Sequence, residues 1–302
     1  MEWGGKALSG ANAPETGAVM VYTSAYPPVV EKLSALAKEQ LPGVEVSWFQ
    51  AGSEKLAARL DTELLADSPG ADVLMASDPM YYQRLKAKGA LAPYASLRAL
   101  QLDRKWVDRD GAFVACRLSV MGIAHRDDVG APHSWAALLG MSGQKITLPE
   151  PLGSGTMLAT LVALERRLPM VEGLFKLGAV SSGGGTAVID RLQRNEAGIG
   201  IALYENVALS AGGVGFTVPD DGAVIIPGML AVLTRSKRLT LAKAVYDLML
   251  GEKAQAIFRA HALRSPFDAN DDLMSPLVVW DEDPTFVAQT RERWSKRFKE
   301  AR

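Results

Sequence analysis

The sequence predicts an α/β protein of two lobes, each a mixed sheet covered by helices, with extended segments crossing between them as a hinge. Three observations carry this. The chain has 302 residues, about two domains at roughly 150 residues each. Its first ordered hundred residues alternate strand and helix. Two apolar runs, 112–125 and 223–233, are unusually long and read as segments that leave one sheet and enter another.

The elements follow in order. Ala18 to Thr23 is a short β-leaning run. Pro27-Pro28 opens a helix with Val29, Leu33, Leu36, Ala37 and Leu41 at the 3.6-residue period, and Pro42-Gly43 stops it. Val44, Val46 and Trp48 alternate with Glu45, Ser47 and Phe49 as a second strand. Leu56, Leu60 and Leu64 stripe the next helix. Asp72 to Ala76 is a third strand, and Pro79 starts a helix that ends at Gly89. This βαβαβα order is that of a mainly parallel sheet. A capped helix is expected at 134–139, a strand at 145–148, helices near 155–167 and 184–195, and a strand at 198–203. Residues 239–262 read as helical, and 291–302 as a basic amphipathic helix docked through Trp294 and Phe298. The first lobe is expected at 18–116 with about 229–265, the second at 117–228 with about 266–302. Residues 1–17, rich in Gly, Ala, Ser and Pro, read as a flexible leader.

Composition excludes several classes. Hydrophobic residues are 48% and charged residues 22%, an ordinary globular balance. Thirty-three basic against 34 acidic residues give a net charge of -1, so nothing draws the chain in bulk to nucleic acid or an anionic membrane. The single cysteine, Cys116, rules out an intrachain disulfide, and His125, His133 and His261 are too scattered for a histidine metal site. No run approaches the roughly 20 apolar residues of a membrane span. The start at Met1 lacks a signal-peptide pattern, so either the protein is cytoplasmic or this is a mature chain with a new start.

The chemistry lies in small-residue loops. Thr23, Ser24 and Tyr26 follow the first strand, Ser53 the second, and Ser77 and Asp78 the third. In open α/β sheets ligands sit at the carboxyl ends of strands. The plainer reading of such residues is helix capping. In the second half, Ser154-Gly155-Thr156 and Ser181-Ser182-Gly183-Gly184-Gly185-Thr186 each precede a helix. Glycine admits close backbone approach, hydroxyls donate, and a helix N-terminus adds free amides, so both loops suit an anion. Neither is a nucleotide motif, since no lysine follows Gly155-Thr156. Arg117 sits inside the long apolar run. It reads as a cleft-facing anion ligand or as half of a structural ion pair. Tyr204 and Glu205 follow the strand at 198–203, and Tyr26 and Tyr204 would make two aromatic walls.

Val21-Tyr22-Thr23-Ser24, Ala71-Asp72-Val73-Leu74, Ser134-Trp135-Ala136-Ala137-Leu138-Leu139 with Lys145-Ile146, and Asp221 to Pro227 resemble bacterial extracellular solute-binding proteins. The branch is the one holding ferric-ion binders and binders of phosphonates and phosphorylated organic molecules. The resemblance spans about residues 18–300. It implies a type II periplasmic binding protein, monomeric, without a cofactor, closing on its ligand about the hinge and delivering it to the membrane permease of an ABC importer. It also implies a periplasmic location with the signal segment trimmed. Ferric binders of the branch carry a Tyr-Tyr pair where this chain has Tyr204-Glu205, and often a histidine in the first loop, where this chain reads Thr23-Ser24-Ala25-Tyr26. Tyr81-Tyr82 are adjacent, but neighbours on a helix point about 100° apart. The expected ligand is therefore a small organic anion, a phosphonate or phosphate ester. Ferric ion held by Tyr26 and Tyr204 is the alternative. A receptor for a sensor kinase and an α/β transferase are further alternatives, the latter lacking a base–nucleophile pair.

Overall fold

The computed structural model describes residues 16–151, 153–181, 183–273, 277–278 and 283–300. Of the expected leader only the last two residues are described, and Gly17 already belongs to the first strand. The first lobe is built as the periodicity requires. β1 (Gly17–Thr23), α1 (Pro27–Gln40), β2 (Val44–Gln50), α2 (Ser53–Leu65), β3 (Val73–Ala76) and α3 (Pro79–Ala87) alternate, and β1 pairs parallel with both β2 and β3. The apolar stripe of α1, Val29, Leu33, Leu36 and Ala37, is buried.

Two long strands then join the halves. β5 (Val114–Arg126) follows the short β4 (Leu91–Ala92), and β10 (Val224–Leu233) returns antiparallel to it. Val114 to Val120 and Met229 to Leu233 pack in the first core, while Met121, Ile123, Val224 and Ile226 pack in the second. Between the cores lies Pro227, opposite Leu118. Proline has no N–H to give the ladder. Arg264 compensates: Leu118 donates to its carbonyl at 2.8 Å and accepts from its N–H at 3.0 Å.

The second lobe holds α4 (Trp135–Leu139), β6 (Ile146–Leu148), α5 (Gly155–Glu165), α6 (Met170–Lys176), β7 (Val180–Ser181), α7 (Gly185–Gln193), β8 (Ile199–Leu203), α8 (Tyr204–Ala208) and β9 (Val214–Thr217). Strands run in the order β2-β1-β3-β10-β5-β8-β6-β7, with β4 and β11 (Leu277–Val278) on β10 and β9 on β5. α5 is apolar on most sides because it lies between β10, α6 and the C-terminal helix α11 (Pro284–Glu300). The stretch expected as one helix at 239–262 is two, α9 (Leu239–Leu250) and α10 (Glu252–Ala260), broken where Gly251 is extended. Both halves pack on the first core, so the apolar pattern runs across the break. α6, α8 and β9 had no sequence signal of their own. No described helix is long and apolar enough to cross a membrane.

Candidate functional site

The carboxyl ends of β1 and β3 and the helix starts of the second lobe face each other across a cleft of about 270 Å³. From the first lobe it is lined by Ser24, Tyr26, Gly52, Ser53 and Ser77. β5 contributes Arg117, Ser119 and Met121, and the second lobe contributes Ser154, Gly155, Thr156, Gly184, Gly185, Thr186, Glu205 and Asn206 among others. Arg117, Ser119 and Met121 share one face because residues two apart in a strand point the same way. α2 and α7 begin at glycines that offer no side-chain cap, so their first amides are uncapped by any side chain. α5 is capped by Ser154, whose hydroxyl accepts from the Met157 amide at 3.2 Å and meets Thr156 Oγ1 at 3.1 Å.

Arg117 is 3% exposed. It donates from Nη1 to Ser77 Oγ at 2.9 Å and from Nη2 to Ser24 Oγ at 3.3 Å. Among the described residues its Nε has no partner, and no carboxylate pairs with the guanidinium. The Ser77 amide in turn donates to Ser24 Oγ at 3.1 Å and Ser53 Oγ at 3.3 Å, so the three serines form one mesh. The guanidinium stem lies over Gly228, where a Cβ would stand 2.6 Å from Nη1 and 2.7 Å from Cζ. Only glycine leaves that space.

Glu205 faces this mesh from the start of α8, 1% exposed. Its Oε1 accepts from Ser119 Oγ at 2.8 Å and from the Tyr26 hydroxyl at 3.4 Å, and its Oε2 has no partner among the described residues. Burial pushes the carboxyl up to about 7, against its own amide, the Ser119 hydroxyl and the Arg117 charge. Burial and the negative charge of Glu205 push the Tyr26 phenol well above its ordinary value. Asn206 Nδ2 donates to the Tyr26 hydroxyl at 3.4 Å. Its side chain explains one of the three consecutive glycines: a Cβ on Gly185 would meet Asn206 Oδ1 at 2.3 Å.

The Glu205 shift has a testable sign. A carboxyl raised from 4.5 to about 7 keeps a proton in the folded chain that the unfolded chain has released. Its contribution is full below the unfolded value, is lost as pH rises from 4.5 to about 7, and is flat above. The loss is of order 3 kcal/mol. Unfolding free energy measured from pH 4 to 8 should therefore fall more steeply in the wild type than in Glu205→Gln; parallel curves would contradict this.

Several expected residues lie elsewhere. Thr23 is fully buried and folds back, its Oγ1 accepting from the Ala25 amide at 3.0 Å. Asp78 caps α3 through the Tyr81 amide at 3.1 Å. Ser181 lies in β7, outside the cleft lining, and Gly183, at φ +66°, accepts from the Glu150 amide at 2.9 Å and so fixes the neighbouring loop. Tyr204 is 38% exposed and turns away to set its ring against Phe216 at 5.3 Å, because α8 rotates adjacent side chains apart. Ser182 lies outside the described residues. Ser119 was missed although it stands two residues from Arg117 on the same strand face. Asn206 was missed because α8 is too short to show a period.

The family described as bacterial extracellular solute-binding protein matches residues 18–264. No curated protein gives a significant match. Among solved structures, the substrate-binding protein of an ABC transporter from Agrobacterium tumefaciens superposes with a TM-score of 0.80 at 13% identity, covering 95% of this chain and 96% of that one. The fructose-6-phosphate-bound periplasmic protein AfuA of Actinobacillus pleuropneumoniae gives 0.78 at 17% identity over 94% and 99%. Iron-bound HitA of Pseudomonas aeruginosa gives 0.75 at 17% identity over 93% and 98%. The two-lobed α/β architecture is that of a type II periplasmic binding protein. The chain belongs to the bacterial extracellular solute-binding proteins, a family of binders rather than enzymes.

Proposed function

We propose that this chain is the capture component of an ABC importer, working outside the cytoplasm with a membrane permease, and that its solute is a small organic anion, a phosphonate or phosphate ester. The observation that carries the reading is Arg117: a buried guanidinium with no carboxylate partner among the described residues, held by serine hydroxyls in a cleft. A charge taken out of water is costly unless compensated. A negative guest between the lobes is the compensation, with the amides of α2 and α7 adding to it. Two cores support a two-lobed division, with Leu118, Val120, Ala223, Ile225 and Leu273 packing in the first core beyond the expected bounds of 18–116 with about 229–265 and 117–228 with about 266–302, and the paired crossings β5 and β10 suit hinge closure.

Ferric ion fits less well. It needs several anionic oxygens, yet Tyr204 turns away to Phe216, and the Tyr26 and Glu205 oxygens that remain share the cleft with the cationic Arg117. A thermal-shift screen with phosphonates, phosphate esters, carboxylates and ferric citrate tests the reading. Phosphonates or phosphate esters should raise the melting temperature by mass action. A shift with ferric citrate alone would overturn it.

A further inference from the structure

We infer that the C-terminal helix α11 is a latch between the lobes, and that Arg291 and Met80, neither of them in the cleft lining, set how readily the molecule closes; this rests on the two-lobed fold and needs no particular solute. α11 is fixed to the second lobe. Trp294 and Phe298 sit in its core, and Arg293 donates to Glu165 of α5 at 2.9 Å. From that base the helix reaches the first lobe twice. Arg291 Nη2 donates to Glu54 Oε1 at 3.2 Å, in the first turn of α2 beside the cleft residue Ser53. Val287 packs on Met80 of α3 and on Val162 of α5.

Met80 shows how far the seam depends on lobe spacing. It belongs to the first lobe and is 9% exposed, yet among the described residues it does not pack in the first core. Its apolar cluster is Val162 and Val287, with Phe286 against them, all of the second lobe. The opposite lobe supplies its burial, so opening returns a large apolar side chain to water. The seam is tight. About 10 Å³ of space remains among Met80, Gly155, Val162, Val287 and Arg291, and a Cβ on Gly155 would already touch Glu54 Oε1 at 3.5 Å. Elsewhere the lobes meet through longer bonds, Tyr26 with Glu205 and Asn206 at 3.4 Å each. A ligand that must bring two lobes together gives up affinity in proportion to how rarely they are already together. Contacts made only at close spacing return part of that affinity. A partly exposed ion pair and one side chain are a small bias, which leaves the equilibrium open to a ligand.

Spin labels test this in the ligand-free chain, at Lys38→Cys on α1 and Lys176→Cys on α6, both exposed, while Cys116 is buried. Double electron–electron resonance then reads the spacing between the lobes. In Arg291→Ala and in Met80→Gln the ratio of long to short spacings should rise at least about twofold, and in the double variant at least about fivefold, the scale of a surface pair plus part of one buried side chain. Arg293→Ala, which breaks a pair inside the second lobe, should leave the ratio unchanged. Salt at about 1 M should raise the ratio in the wild type but not in Arg291→Ala. Melting curves confirm folding; if Met80→Gln does not fold, Arg291→Ala and its salt response decide alone. Unchanged spacing in Arg291→Ala, a wild type already at the variants' spacing, or an equal shift in Arg293→Ala overturns the latch and leaves the capture reading standing.

Discussion

Replacing Arg117 by alanine is expected to weaken capture of a phosphonate or phosphate ester by about 1.5–3 kcal/mol, the worth of a hydrogen bond to a charged group, or roughly 10- to 150-fold in Kd. The guanidinium is held in place before the ligand arrives. Ser24 and Ser77 fix two of its nitrogens, and the bare backbone of Gly228 gives its stem a seat on the neighbouring strand. Its hydrogen bonds go to neutral hydroxyls and no described carboxylate touches it, so the anion gains a full charge-assisted contact rather than displacing a paired carboxylate. Without added ligand the variant should melt close to the wild type, because removing a buried charge with no described carboxylate in contact offsets the packing lost with its stem. This separates a ligand-binding arginine from a structural one, whose loss would lower the melting temperature and leave affinity alone. Calorimetry and a melting curve on the same preparation decide it, and unchanged affinity in a folded variant would remove Arg117 from the site.

The lobes were legible because their elements obey simple periods. The stripe Val29, Leu33, Leu36 and Ala37 and the uncharged strand Val73–Ala76 carry their burial in their spelling. The crossings were legible from length alone. The cleft was half legible. Serines after strands and glycines before helices mark where a ligand can approach, but the same residues serve as caps, and only the fold sorts Ser77, which meets Arg117, from Asp78, which meets the Tyr81 amide. Arg117 stood out because a charge in an apolar strand demands a partner. That its partners are hydroxyls 40 and 93 positions away is a tertiary fact with no local trace. Tyr204 illustrates the opposite error. Position after β8 placed its backbone at the cleft, but the turn into α8 presents Glu205 and Asn206 instead.

The largest stability effect is expected at the C-terminal helix. Trp294→Ala should cost about 3–5 kcal/mol, the range for deleting a fully buried large aromatic side chain. Trp294 is fully buried in the second core, stacked on Phe298 at 5.2 Å and near Phe175 at 6.4 Å. Its indole Nε1 has no partner among the described residues, so deletion also removes an unmet donor, and the loss should fall toward the lower end. The solvent-facing side of the helix is charged, and surface pairs such as Arg293 with Glu165 are worth at most about 1 kcal/mol. The damage should also cross the cleft. One turn earlier, Arg291 donates to Glu54 of α2 at 3.2 Å, and Val287 packs with Met80 of α3 and Val162 of α5, so α11 braces both lobes. Denaturant unfolding measures the cost, and hydrogen exchange should show residues 284–300 losing protection before the first core does. A loss below about 1 kcal/mol, or protection in α11 that persists until global unfolding, would mean that the helix is held by its backbone contacts and not by the buried indole.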